Sequence, residues 1–427
     1  MKLNGNGADL SPDQSAAEGH RRRTICILAG DVSGDQNGGR LASAIRAIAP
    51  DVRLVGAGGP GMAEAGVEVM IQSTHVSMVG MPNSMQMVPS LVKVYLQMRR
   101  MLDQAKPDVA VLIDNESMNL LLAGRLRRRA IPRVFFFPPQ VWFWGRWRIR
   151  GVVKRTSRVL CAFRTEAGLY REAGADTIWV GHPLRDSLQI AEDPIAAMKE
   201  IGLDPARPLV ALMPGSRSQE VKFLAAPMLG AAKSLKLRDP SLQFVLPMAS
   251  ENLRAVLERE IALSGMREVK LYRPRSYAVL SQAKVALQCS GTATIETALL
   301  QIPSVITYRT NRLFYQVGRR LMKVPYIGMV NILFGEMVQP EYFQHNVDSK
   351  HLADEVWSLL TDTKRRQALE ARLSKFAEIL GPRGVLARAA QSVVDLLPPA
   401  PRAIASPNFG APARDSDDSN RASAASA

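Results

Sequence analysis

Six segments of this chain combine residue types that can do chemistry. In Ala29-Gly30-Asp31-Val32-Ser33-Gly34-Asp35, glycine lets the backbone approach a ligand, with a hydroxyl and two carboxylates beside it. Asp and Ser are also common helix caps, but two acids exceed what one cap needs. Ser33 and Gly34 are therefore candidate substrate contacts and Asp35 a candidate catalytic group. The phosphate-loop ending Gly-Lys-Ser/Thr and the GxGxxG dinucleotide pattern are both missing from this segment. Gly56-Ala57-Gly58-Gly59-Pro60-Gly61-Met62 holds four glycines in six residues, which fits a close approach to a ligand or to another domain, and equally a tight turn. In Ile113-Asp114-Asn115-Glu116-Ser117-Met118-Asn119, two carboxylates at a strand end can supply a general base to a hydroxyl nucleophile. Capping of the next helix is the plainer use. Asp114 and Glu116 join Asp35 as catalytic candidates.

Met213-Pro214-Gly215-Ser216-Arg217-Ser218-Gln219-Glu220 places Gly and Ser at a helix start, with Arg217 able to clamp a phosphate. In Gln288-Cys289-Ser290-Gly291-Thr292-Ala293-Thr294-Ile295-Glu296, a small-residue turn can present N–H groups to a diphosphate, and Glu296 can accept from a ribose diol. Together these two segments describe a nucleotide-diphosphate site. No acidic metal motif accompanies them. Arginine and helix dipoles would neutralise the leaving diphosphate, with neither metal nor cofactor expected. The last segment runs from Pro138 to Arg150 and sets Trp142, Trp144 and Trp147 among Arg146, Arg148 and Arg150. Rings with flanking cations suit a bilayer interface or an amphiphilic substrate, and also single-stranded nucleic acid. The alternative is a tryptophan core under a solvated arginine face.

Short β-rich runs alternate with helical patterns, and most runs are continuously apolar, as in strands buried on both faces of a parallel sheet. Candidate strands are Thr24–Leu28, Arg53–Val55, Val109–Ile113, Val134–Phe137, Val159–Ala162 and Ile178–Val180, then Leu209–Met213, Phe244–Leu246, Val269–Tyr272, Val285–Gln288 and Ser304–Thr307. The rhythm restarts after a polar, proline-containing stretch around 186–208. The expected fold is α/β, with two tandem doubly wound Rossmann-like domains and a cleft between them. The boundaries expected are a tail over 1–23, a first domain over 24–203, a second over 204–396 and a tail over 397–427.

The chain has 427 residues, 47% hydrophobic and 22% charged, enough for two globular cores. Its net charge is +16, and no acid occurs between Ser117 and Arg158. Such concentration expects an anionic partner. Three scattered cysteines, Cys26, Cys161 and Cys289, give neither a disulfide framework nor metal spacing and fit a reduced cytosol. No run approaches the roughly 18 apolar residues of a spanning helix, so membrane contact is expected to be peripheral.

AGDVSGD, GAGGPGM, PQVWFW, Val180-Gly181-His182-Pro183, LMPGSR and SGTATIE follow one another as in lipid-A-disaccharide synthases, and the chain resembles that family over Thr24 to Leu396. The later residues Tyr308-Arg309, Lys323 and Val330-Asn331-Ile332-Leu333 match as well. The resemblance implies a GT-B fold and an inverting, metal-independent hexosyltransferase of lipopolysaccharide synthesis. Its substrates would be UDP-2,3-diacylglucosamine and 2,3-diacylglucosamine 1-phosphate. It implies a cytoplasmic protein held at an anionic inner-membrane surface, a homodimer, and no nucleic-acid role. Carried over, Arg217, Ser290, Gly291, Thr292 and Glu296 become UDP contacts and Asn331 a further cleft residue, while Trp142, Trp144, Arg146, Trp147 and Arg148 meet acyl chains and membrane. Two positions depart from the family pattern: AGExSGD carries Asp31 at the Glu position, and IDAPDFN carries Ser117 at its second Asp. Competing readings are a UDP-sugar 2-epimerase-like isomerase, a divergent paralogue with another lipid acceptor, and a nucleic-acid binder.

Overall fold

A computed structural model describes residues 21–73, 84–142, 145–311, 315–316 and 325–399. Residues 22–397 form one compact unit. Two parallel sheets organise it. The first contains β1 (Thr24–Ala29), β2 (Arg53–Gly58), β3 (Glu68–Gln72), β4 (Val109–Ile113), β5 (Arg133–Phe136), β6 (Arg158–Cys161) and β7 (Thr177–Trp179). The second contains β8 (Leu209–Met213), β9 (Gln243–Pro247), β10 (Lys270–Tyr272), β11 (Ala283–Cys289), β12 (Ser304–Tyr308) and β13 (Glu341–Phe343).

The strand orders are β3-β2-β1-β4-β5-β6-β7 and β10-β9-β8-β11-β12-β13. Both reverse direction once, between β1 and β4 and between β8 and β11. At such a switch point neighbouring crossovers leave on opposite faces, opening a crevice at the C-terminal strand ends. The registers end side by side there: Ala29 pairs with Ile113, and Met213 with Gln288.

The continuous apolar runs follow from burial on both faces. Along β1, Ile25, Ile27 and Ala29 enter one core while Cys26 and Leu28 enter the other. The second sheet is covered likewise. All three cysteines are free and buried. Burial pushes the Cys26 thiol up to about 12, so it packs as a small apolar group.

The eleven strands expected from sequence are present, Val109–Ile113 and Leu209–Met213 with the expected ends and the others with ends shifted by one to three residues. Two edge strands, β3 and β13, are additional. The last helix, Val385–Val394, corrects the expected boundary. Its Val385, Ala389, Ala390 and Val393 pack into the core of the first sheet, against the helix Val32–Ile48, and not with the second sheet.

Candidate active site

At the β1/β4 switch point, Asp31 caps the helix Val32–Ile48, its Oδ1 accepting the Gly34 N–H at 2.7 Å. The expected loop is thus already helix, and the Gly34 N–H is taken by the cap. Ser33 is exposed on the first turn. Asp35 is 4% exposed. Its carboxylate accepts three backbone N–H groups, from Gly59 (2.6 Å), Gly61 (2.9 Å) and Met62 (3.0 Å). This corrects its catalytic assignment: Asp35 ties the glycine-rich turn to the helix. That turn is glycine-rich because the helix lies against it. A Cβ on Gly39 would stand 2.3 Å from the Gly61 carbonyl oxygen.

Asp114 stands at the end of β4, recessed, with φ +49°. Burial, with the Asp31 charge adding, pushes its carboxyl up to about 7. Glu116, two residues on, is ion-paired with Arg148. That pairing leaves Asp114 the better placed of the two to take a proton. Beside it opens an apolar cavity of about 230 Å³. Val92, Tyr95, Met98, Met118 and Leu121 line it, with Gly30, Asn115 and Ser117. The residue types are apolar except where the strand-end loops enter.

At the β8/β11 switch point, Gly215 turns with φ +121°, where a side chain would run into Glu220. Glu220 folds back over the turn. Its Oε2 accepts the N–H groups of Ser216 (2.9 Å) and Arg217 (3.2 Å), and Oε1 accepts Arg217 Nη1 at 3.1 Å. A carboxylate thus sits on the N–H groups a phosphate would use. The 59% exposed Arg217 guanidinium carries five donors, more than that one bond engages.

On the neighbouring strand end, Gly291 and Thr292 are exposed at the start of the helix Thr292–Leu299. Their N–H groups and the helix dipole favour an anion. Ser290 Oγ donates to the Ile327 carbonyl at 2.7 Å. Tyr277 donates to Glu296 Oε1 at 3.0 Å. Burial raises the Glu296 carboxyl, while that hydrogen bond and the charge of Arg40, from the helix after β1, pull it back.

Asn331 is fully buried and saturated. Its Nδ2 donates to the Gln339 carbonyl (2.6 Å) and Glu341 Oε1 (2.8 Å), and its Oδ1 accepts the Val338 (2.9 Å) and Gln339 (2.8 Å) N–H groups. This corrects its assignment as a ligand contact. It holds Glu341, which in turn accepts the Ile327 (3.0 Å) and Gly328 (2.8 Å) N–H groups. Glu341 was missed from sequence. It lies on an edge strand, and no local motif marks it.

The aromatic–basic segment divides. Trp142 is half-buried, edge-on to Phe163 at 5.8 Å and packed on the apolar cluster joining the sheets. Trp144 lies outside the described residues, as does most of the basic run 309–323. Trp147 is 67% exposed and Arg146 is exposed. Several arginines serve structure: Arg125 and Arg129 pair with Asp103, and Arg158 with Asp176. Among the described residues, no three His, Cys, Asp or Glu side chains cluster as metal ligands, and no helix is long and apolar enough to cross a membrane.

Two doubly wound parallel sheets, each with its own switch point, define the GT-B class of glycosyltransferases and sugar-nucleotide epimerases. Solved structures share this fold. The S. aureus MnaA–UDP complex matches with TM-score 0.62 and 11% identity over 88% of this chain and 98% of that one. The glycotransferase of kitacinnamycin matches with TM-score 0.60 and 15% identity over 89% and 100%. The family model for lipid-A-disaccharide synthetase matches residues 25–393. The lipid-A-disaccharide synthase of Geobacter metallireducens is 34% identical over 88% of this chain and 97% of its own length, and that of Myxococcus xanthus 33% over 88% and 98%. The chain belongs to the lipid-A-disaccharide synthetase family and is a glycosyltransferase that transfers a hexose unit.

Proposed function

We propose that this enzyme moves 2,3-diacylglucosamine from its UDP donor to the 6-hydroxyl of 2,3-diacylglucosamine 1-phosphate. The acceptor oxygen forms a bond to the anomeric carbon of the donor while the bond from that carbon to the diphosphate oxygen breaks. Asp114 takes the hydroxyl proton, and UDP departs. Attack from the face opposite the leaving group inverts the centre and gives a β-1′,6 linkage.

The observation that carries this reading is the pairing of unlike switch points. One holds a recessed carboxyl beside an apolar cavity; the other holds open helix N–H groups and an arginine. A carboxyl pushed up to about 7 is half-deprotonated near neutral pH and suited to general base catalysis. The Gly291–Thr292 helix start and Arg217 take up the charge of the leaving diphosphate without a metal. Glu296, held by Tyr277, accepts from the ribose. An acyl chain of the acceptor fits the apolar cavity. Exposed Trp147, Val92, Leu96 and Leu121, with exposed Arg127, Arg128, Arg146 and Arg150, suit peripheral attachment to the anionic inner face of the inner membrane. A homodimer belongs to this reading through family membership alone, and nucleic acid has no place in it.

The test is UDP release by purified protein supplied with both lipids. Release that requires the acceptor, and that Asp114→Asn abolishes, supports the reading. Turnover of UDP-N-acetylglucosamine without any acceptor would overturn it in favour of an isomerase.

A further inference from the structure

Asp114 and Asn115 are consecutive non-glycine residues in left-handed backbone, with φ +49° and +33°. Such backbone is strained for residues with a side chain and persists only where its surroundings hold it. Asn119 does the holding. It is 3% exposed, in the first turns of the helix Glu116–Arg128. Its Nδ2 donates to the Ile113 carbonyl at 3.0 Å and to the Asp114 carbonyl at 2.8 Å. Its own N–H donates to the Asn115 carbonyl at 3.0 Å. Three consecutive carbonyls around the turned peptides are thus gathered by one residue. The chemistry selects an amide. Its nitrogen carries two protons, whereas a carboxylate has none and a hydroxyl one. From the other side the loop after β1 buttresses the turn. A Cβ on Gly30 would stand 2.2 Å from Asn115 Nδ2.

We infer that Asn119 is a positioning residue that sets where the Asp114 carboxyl stands, and through it the rate of the chemical step rather than the affinity for the donor nucleotide. This rests on Asp114 being the base of the proposed transfer. A displacement of about 1 Å at a reacting group costs roughly 100-fold.

The test compares Asn119→Ala, Asn119→Asp (same shape, at most one O–H donor in place of two N–H) and Asp114→Asn in the full chain. Turnover is measured with both lipids, and UDP affinity by calorimetry on the same preparations. The expected result is kcat lower by about 10–100-fold in both Asn119 variants, with UDP Kd within about twofold of wild type. Turnover near wild type in either folded Asn119 variant, while Asp114→Asn is inactive, overturns the inference. So does a parallel loss of kcat and UDP affinity in both, which marks a purely structural role. Turnover retained by Asp114→Asn strikes the base assignment itself and is read separately.

Discussion

Asp186 holds the start of a helix from the far end of the chain: its Oδ1 accepts the N–H of Gly384, 198 residues later, at 2.7 Å. Oδ2 accepts the Leu386 N–H at 3.0 Å. Around this cap the outgoing and returning crossings between the sheets are braced. Arg185 donates to the Gly381 carbonyl, Arg388 donates twice to the Val180 carbonyl, and the His182 N–H donates to the Leu380 carbonyl. The His182 ring is buried, which lowers it to about 4 and keeps it neutral at this junction. The crossings therefore form one unit, and the last helix is delivered to the first sheet.

Removing the cap should weaken that delivery. Asp186→Ala loses both bonds to the helix start and is expected to destabilise the protein by about 1–2 kcal/mol. Asp186→Asn keeps one acceptor oxygen and should cost less. Urea denaturation of the three proteins measures this. Equal midpoints for wild type and Asp186→Ala would show that the cap contributes nothing.

Asp114 predicts two opposite pH dependences. Its folded carboxyl titrates at about 7, above the ordinary 3.8. Between these values the folded state binds more protons than the unfolded chain, so stability from this group falls as pH rises from about 4 through 7. Asp114→Asn removes the buried charge and is expected to stabilise the protein at pH 8 but hardly at pH 4. The proposed transfer uses the Asp114 carboxylate as base, so wild-type kcat should climb through pH 7 and level off above it. Thermal melts of both proteins across this range, with a pH–rate profile of the wild type, check the two signs together.

These sites were partly legible before any coordinates. The strand-end motifs stood out because continuous apolar runs mark buried parallel strands, and the residues just beyond them have little reason to be Gly, Ser and Asp except at a crevice. Residue type did not reveal partners. Asp35 reads as a free acid until three N–H groups 24 to 27 residues away are seen to converge on it. Asn331 reads as a ligand contact until its amide proves saturated. Glu116 pairs with Arg148 from another element. The edge strands β3 and β13 escaped notice because neither has a fully buried residue and their apolar runs are short, Val69-Met70-Ile71 in one and Tyr342-Phe343 in the other. The last helix has no local mark of which sheet it joins.

Glu341 should matter to the proposed donor pocket although it lies outside the motifs and touches them only through Asn331. It fixes Ile327 and Gly328, and Ser290 bonds to the Ile327 carbonyl. Glu341→Ala leaves these N–H groups and the Asn331 amide without their acceptor, a loss of about 1–3 kcal/mol. Calorimetry should find UDP bound several-fold more weakly, with Glu341→Gln intermediate because one carbonyl oxygen remains. Unchanged UDP affinity in Glu341→Ala would separate this network from the nucleotide.

The membrane-facing reading makes its own demand. Trp147 and Leu121 are 67% and 61% exposed, beside a segment rich in arginine. Apolar side chains contribute by entering the interface, and arginines by attraction to anionic headgroups, which salt screens. Trp147→Ser with Leu121→Ser should therefore reduce sedimentation with vesicles of mixed anionic and zwitterionic lipid at any salt. Arg146→Ser should matter at low salt and fade as salt is raised. Calorimetry with UDP should be unchanged in all of them, because these side chains lie on the first sheet's side while the proposed nucleotide site is on the second. Vesicle binding equal to wild type in the double variant, at low and high salt alike, would move the membrane contact to another face.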